Sequence, residues 1–207
     1  MRSRKRKEGI LIIVSAPSGC GKSTVVRALM EKRKDLRFSV SATTRKPREG
    51  ETDGVDYYFV TREEFHRMIE ENAFLEHAEY VGNCYGTPRA AVERQLKDGF
   101  DVYLDIDVQG ALQVKKQRPE TLMVFLMPPS MEELERRLVN RGTNTPEEIR
   151  ARLEAAEREC ALAGEFDHVV INDIVERAVN ELSDLIDSQK TEKNNRKKNK
   201  NNNIEVL

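Results

Sequence analysis

Fifteen residues near the start of the chain, Ile10-Leu-Ile-Ile-Val-Ser-Ala-Pro-Ser-Gly-Cys-Gly-Lys-Ser-Thr24, narrow the folds open to it. Five apolar residues, most of them β-branched, read as a buried strand. A turn on Pro17, Gly19 and Gly21 follows, and Lys22 and Ser23 open a helix with Val25, Val26 and Leu29 on its apolar face. Successive backbone N–H groups in such a turn form an anion-binding concavity, and the helix dipole reinforces it. The spacing is that of the phosphate loop, with Ala16 standing where the first glycine is usual. Ala resists φ > 0, so position 16 must not need left-handed geometry. The pattern places Lys22 on the β- and γ-phosphates of a nucleotide. It places the Ser23 hydroxyl at one Mg²⁺ position, the rest being left to water and phosphate. A strand, turn and helix with chance glycines is the plainer reading, but the flanking strand and helix are the context the motif requires.

At 207 residues the chain suits one domain, or one domain with inserts, and can bury a core without disulfides or structural metal. Cys20, Cys84 and Cys160 are odd in number, widely spaced and without metal-ligand spacing. That fits a cytoplasmic protein better than a disulfide framework. No apolar run approaches the length of a membrane span, and the basic start, Arg2 to Lys7, leads into a short strand rather than a signal-peptide core. No membrane partner is expected. The net charge of −1 hides an asymmetry: residues 1–7 carry five basic side chains, and residues 190–207 carry six basic and two acidic. Residues 8–189 therefore hold 24 basic and 34 acidic side chains, a net of −10. Such a body does not attract an anion by overall charge, so an anionic ligand must be captured by a local arginine cluster.

Periodicity gives the rest of the order. Helix is expected from Lys22 to about Lys34, and a short strand around Phe38 and Val40. A polar Arg/Thr/Gly segment over 41–56 ends in the apolar run 57–60. Capping boxes at Thr61–Glu64, Ser130–Glu133 and Thr145–Glu148 open three helices. Asp101 to Asp107 alternates like a strand, Val108 to Gln117 reads as helix, and residues 121–127 and 168–171 as buried strands. This order implies a parallel sheet covered by helices, with residues 36–87 as an inserted lobe. Residues 1–8 and the Lys/Asn-rich tail 189–207 are expected to be disordered. His66 and His77 are isolated, and nothing nearby supplies a second metal ligand. Cys20 reads as a small loop residue rather than a reactive thiol.

Thr43-Thr-Arg-Lys-Pro-Arg48 puts three cations within four residues. Guanidinium groups match phosphate oxygens two at a time, although a solvated basic loop is an equal reading of this segment alone. The wider pattern resembles guanylate kinases. Phe38-Ser-Val-Ser41-x-Thr-Thr-Arg45-x-Pro-Arg48-x-Gly50-Glu51-x-x-Gly54-x-Asp56-Tyr57 looks like their monophosphate-binding segment. Phe74-Leu-Glu76, Gly82-Asn-x-Tyr85-Gly86, Leu104-Asp-Ile-Asp107-x-Gln-Gly110, Arg141-Gly-Thr143, Arg152-Leu153 and Ile171-Asn-Asp173 continue it in order. The similarity covers about residues 9–188; Ala42 replaces a His common in the family.

The resemblance implies an α/β fold of the P-loop nucleoside-monophosphate-kinase type. Its core would be 9–35, 88–128 and 168–188, its GMP-binding lobe 36–87 and its helical lid about 129–167. It implies transfer of a phosphoryl group from ATP to GMP with Mg²⁺, lobe and lid closing over both substrates. Ala16, Pro17, Ser18, Gly19, Cys20, Gly21, Lys22, Ser23, Thr24, Asn172 and Asp173 would bind ATP. Arg45, Arg48, Tyr57 and Tyr85 would hold the GMP phosphate; Ser41, Glu76, Thr87 and Asp107 would read the guanine. Asp105 is grouped with them, although a Mg²⁺-bound water or a structural role suits it equally. Lys22, Arg48, Arg141 and Arg152 would be catalytic. Helical geometry alone does not choose between Arg150 and Arg152; the family pattern chooses Arg152. For Glu76 an exposed strand position, and for Asp107 a helix cap, are the plainer alternatives.

Two other functions fit parts of the pattern. Guanylate-kinase-like modules in scaffold proteins hold phosphopeptides without catalysis, but the intact Gly-Lys-Ser-Thr and the lid arginines argue against that here. A kinase for a different monophosphate is the other. The basic tails give weak contact with a polyanion at most, so a nucleic-acid partner is not expected; a monomer and a homo-oligomer are both open.

Overall fold

A computed structural model describes residues 7–140, 142 and 145–202. Arg141 and Thr143 lie outside the described residues, as does most of the basic arm. The chain divides into two compact units: one joins the segment ending at Ser15 to Asp35–Met123, the other joins Ala16–Lys34 to the chain from Val124 onward.

In the first unit β1 (Leu11–Ser15) and β2 (Leu36–Phe38) flank β7 (Asp101–Leu104), all parallel. Every residue of β1 and β7 is buried, as in strands covered on both faces. Ser15 and Asp101 are the polar exceptions, and the Asp101 carboxylate accepts the Ile10 N–H at 3.1 Å. The alternation over Asp101–Asp107 predicts a longer strand than forms. β7 ends at Leu104 because Asp107 is the N-cap of α4 (Val108–Gln117), accepting the Gly110 N–H at 2.8 Å.

A second sheet in this unit has the order β4 (Tyr57–Phe59), β3 (Ser41–Thr43), β6 (Asn83–Pro88), β5 (Phe74–Tyr80). β3 and β4 are parallel, and the other neighbours antiparallel. The single strand expected around Phe38 and Val40 is thus two strands in different sheets. Within the segment expected as an inserted lobe, β2 belongs to the parallel sheet and β3 to the second. Phe65 of α2 (Arg62–Glu70) packs with Ala42, Phe74 and Cys84 to give this sheet its core. Val81 and Gly82 join β5 to β6, both at positive φ (47° and 71°), which matches the twist of a two-residue hairpin. Pro88 precedes α3 (Arg89–Lys97), whose Val92 and Leu96 are buried.

In the second unit α1 (Lys22–Lys32) packs on α7 (Val175–Asn202). α1 ends two residues before the expected Lys34. Arg33 caps it in an extended conformation and donates to the Ser183 carbonyl and hydroxyl and to Asp187. β8 (Leu122–Met127) runs parallel to β9 (His168–Ile171) over Val124–Met127. α5 (Met131–Asn140) and α6 (Pro146–Cys160) share a core of Leu134, Leu138 and Ala156. Thr61 and Thr145 cap as expected, with the reciprocal box closed at Thr145, and Ser130 Oγ accepts the Glu133 N–H at 3.2 Å. α7 continues to Asn202, through residues the composition marks as disordered. Extending a helix that is already packed needs no new nucleus, and Glu192 pairs with Arg196 one turn on. The architecture is α/β, and no described helix is long and apolar enough to cross a membrane.

Candidate active site

The loop after β1 is held by its own backbone: Cys20 N–H donates to Pro17 O at 3.1 Å, and Thr24 and Val25 N–H both reach Gly21 O. Gly19 and Gly21 are left-handed (φ 92° and 94°), whereas Ala16 is not, so its departure from the usual glycine costs the loop nothing. Gly21 is the N-cap of α1 and carries no capping side chain. A Cβ on Gly19 would come within 2.7 Å of Leu138, because α5 packs against the loop. Arg152 of α6 donates to Ser18 Oγ at 2.7 Å. Beside the loop lies a cavity of about 360 Å³ lined by Gly19, Gly21, Thr24, Arg137, Asn172 and Asp173, among others. Cys20 is fully buried, its thiol donates to Leu126 O at 3.4 Å, and burial pushes it up to about 12. It is no nucleophile at neutral pH.

The first unit has its own cavity, of about 370 Å³, lined by Ser41, Tyr57, Glu76, Tyr85, Asp105 and Asp107 among others. Glu76 is 6% exposed. Thr87 donates to its Oε1 at 2.6 Å, and a Cβ on Gly110 would stand 3.0 Å from its Oε2. Burial raises the Glu76 carboxyl, the Thr87 hydrogen bond opposes this, and the charge of Asp107 adds to it. Tyr103 donates to Asp105 Oδ1 at 3.1 Å. Arg45 is gripped by both oxygens of Glu51, at 2.9 and 2.8 Å, and its guanidinium lies 5.2 Å from the Tyr57 ring centroid. Glu51 also accepts the Arg48 N–H at 2.7 Å. A phosphate loop in one unit and a cavity lined by the buried Glu76 carboxylate in the other suit two different polar ligands.

A family model for guanylate kinase matches residues 8–189. The chain belongs to the guanylate kinase family. It is 48% identical over 186 residues to a guanylate kinase of Clostridium perfringens, covering 90% of this chain and 86% of that one. It is 53% identical over 186 residues to one of Thermus thermophilus, covering 90% and 83%. The crystal structure of guanylate kinase from Anaplasma phagocytophilum matches with a TM-score of 0.69 at 37% identity, over 90% of this chain and 89% of that one.

Of the residues the family resemblance selects, the structure gathers Ser41, Tyr57, Glu76, Tyr85, Asp105 and Asp107 around one cavity, with Thr87 bonded to Glu76. Gly19, Gly21, Thr24, Asn172 and Asp173 line the other. Ala16, Pro17, Ser18, Cys20, Lys22 and Ser23 belong to that loop and helix start but do not line the cavity. Arg48 is exposed and lines neither. Glu76 is not the exposed strand residue of the plainer reading. Asp107 is the helix cap of the plainer reading, and it lines the cavity as well. Sequence reasoning missed Glu51, Gly110 and Arg137. The first two stand inside motifs already matched, three residues beyond Arg48 and Asp107; Arg137 has only its i,i+4 spacing from Glu133 as a signal.

Proposed function

We infer that the chain moves the γ-phosphoryl group of ATP to GMP, giving ADP and GDP. The observation that carries this is the buried Glu76 carboxylate, lining a cavity with Asp107 in a chain that also has a phosphate loop. Guanine presents N1–H and N2–H₂ donors along one edge, and a carboxylate accepts both. Adenine has a lone pair at N1, which faces a carboxylate unfavourably. A site built to hydrogen-bond its substrate rejects mismatched analogues by roughly 10⁴-fold.

In this reading Glu76, held by Thr87, and Asp107 take the guanine with Ser41, and Asp105 lies beside them. Arg45, Arg48, Tyr57 and Tyr85 hold the GMP phosphate. The N–H groups of the loop and Lys22 take the ATP phosphates, with Asn172 and Asp173 near the base. Arg48, Arg141 and Arg152 offset charge on the moving group. The exposed Ser23 hydroxyl, in the first turn of α1, is a hard oxygen donor of the kind Mg²⁺ prefers. Magnesium, when bound, supplies charge neutralisation on the phosphates. The GMP phosphate is already an anionic nucleophile, so alignment and charge suffice and no general base is needed. We assign the reaction to the cytoplasm and to purine nucleotide recycling.

A coupled assay with ATP, Mg²⁺ and GMP, AMP, UMP or CMP tests this. GMP should be turned over far faster than the rest; comparable rates with AMP would reject the guanine assignment.

A further inference from the structure

Two side chains meet at one carbonyl oxygen of the phosphate loop. Asn172 Nδ2 donates to Cys20 O at 2.7 Å, and Arg137 Nη1 donates to the same oxygen at 3.2 Å. Arg137 Nη2 also donates to Asn172 O at 2.9 Å, and its Nε to Glu133 Oε1 at 2.8 Å. The cluster is tight: Asn172 is 3% exposed, and a Cβ on Gly21 would come within 2.8 Å of its amide nitrogen. Only glycine fits beside this clamp, and only at φ 94° does the chain turn there.

The Cys20 carbonyl and the Gly21 N–H belong to one peptide. In a planar trans peptide they point in opposite directions. Donors fixed on the oxygen therefore fix the N–H on the far side of the plane. A phosphate loop works by aiming N–H groups at the anion, and a peptide turned over would present its carbonyl oxygen instead.

We propose that Arg137 and Asn172 are positioning residues that lock the Cys20–Gly21 peptide so that the Gly21 N–H faces the ATP phosphates. The proposal rests on the phosphate-loop reading given above and deepens it. Asn172 then acts on ATP through the loop, and an effect of its loss must appear with a ligand that has no base. Glu133 completes the device by holding Arg137 with its fork toward the two carbonyls.

The test is calorimetric titration of the full chain with Mg²⁺-tripolyphosphate, ATP and GMP. Asn172→Leu keeps the amide's shape without a donor, and Arg137→Lys keeps the charge without the fork; neither alters net charge. Each should weaken tripolyphosphate and ATP in step, by about tenfold for the loss of one anchoring hydrogen bond. GMP affinity should stay within about twofold, because the anchor touches only the loop. Folded variants that bind tripolyphosphate like the parent overturn the proposal, including the case in which ATP alone weakens, which would make Asn172 a reader of the base. If either variant fails to fold, the Gly21 amide proton of the unaltered chain decides. It should shift strongly downfield on adding tripolyphosphate, and an unmoved resonance refutes the lock. A parent chain that binds neither ATP nor tripolyphosphate sinks the phosphate-loop reading itself, a different result.

Discussion

The Thr87 hydroxyl donates to Glu76 Oε1 at 2.6 Å, and both residues are buried in the same wall. Thr87 therefore holds the carboxylate still without neutralising it. Burial nevertheless raises the Glu76 carboxyl above its ordinary range. The two consequences have opposite signs. Folding prefers the protonated form, so the stabilising contribution is present below the ordinary carboxylate value and lost as pH rises through the raised one. Guanine needs the ionised form, so capture of GMP is lost as pH falls. The kcat/KM for GMP should fall as pH is lowered, and fall at a higher pH than an exposed carboxylate would give. Glu76→Gln should raise Tm, remove this acid limb and lower kcat/KM for GMP by about 10²–10⁴-fold, the worth of two charge-assisted hydrogen bonds. A pH series on both proteins checks it; a parent profile identical to that of the variant would defeat the assignment.

Gly110 leaves the space that the other carboxylate oxygen occupies. A Cβ there would stand 3.0 Å from Glu76 Oε2 and 3.4 Å from the Glu76 carboxyl carbon. In Gly110→Ala the carboxylate must give way, and its Thr87 bond resists. Ala is favoured over Gly within a helix by about 1 kcal/mol, while overpacking costs roughly 1–3 kcal/mol. Tm should change little. The displaced carboxylate should raise KM for GMP by about tenfold, or 1.4 kcal/mol, with KM for ATP unmoved. Steady-state kinetics with each substrate varied in turn separates these.

Local patterns were legible because local physics makes them. The Thr61 and Thr145 caps, the loop glycines and the apolar face of α1 need only neighbours in sequence. Long-range pairing was not. β2 is three residues long and joins the parallel sheet only because Leu36 pairs with Asp101, so no period in 36–43 could assign it. Asp107 alternates with its neighbours like a strand residue, yet its cap bond to Gly110 wins. The burial of Glu76 depends on Thr87 and Gly110, which are distant in sequence. The family pattern marked Glu76 as functional, but only tertiary structure reveals how it is held. Arg137 escaped notice because its contacts at the loop are with backbone carbonyls that carry no sequence signature, and its i,i+4 pair with Glu133 reads as an ordinary helix-surface pair.

Arg45 does not line the cavity; it lies 5.2 Å from the ring centroid of Tyr57, which does, and is already engaged. Glu51 grips it through both oxygens and also takes the Arg48 N–H, so one carboxylate sets the shape of the whole arginine segment. The hydrogen bond from Arg45, followed by that from the Arg48 backbone, holds the Glu51 carboxyl below the usual range. Its contribution to stability is thus present above the ordinary carboxylate value and lost as pH falls through the depressed one. Glu51→Gln should loosen Arg45 and raise KM for GMP by about tenfold, as for one lost charge-assisted bond, while KM for ATP holds. Equal loss for both substrates would mean general destabilisation instead.

Val81 is the sharpest local conflict in the first unit. It sits at φ 47° between β5 and β6, in the left-handed region, and its side chain is 78% exposed. Left-handed geometry costs an L-residue roughly 1–2 kcal/mol, and a β-branched side chain is among the worst suited to it. Asn is tolerated there, and Asn-Gly is the preferred pair for such a hairpin. The exposed valine side chain loses little packing when replaced. Asn83 Nδ2 donates to the Val81 backbone carbonyl at 3.2 Å, an interaction that the substitution leaves in place. Val81→Asn should therefore stabilise the chain by about 1 kcal/mol, a rise in Tm of about 2–4 °C for a protein of this size. Turnover of GMP should not change, because Val81 does not line the cavity. Thermal unfolding beside the kinetic assay decides the matter: a lower Tm would mean that the valine side chain has a partner worth more than the strain.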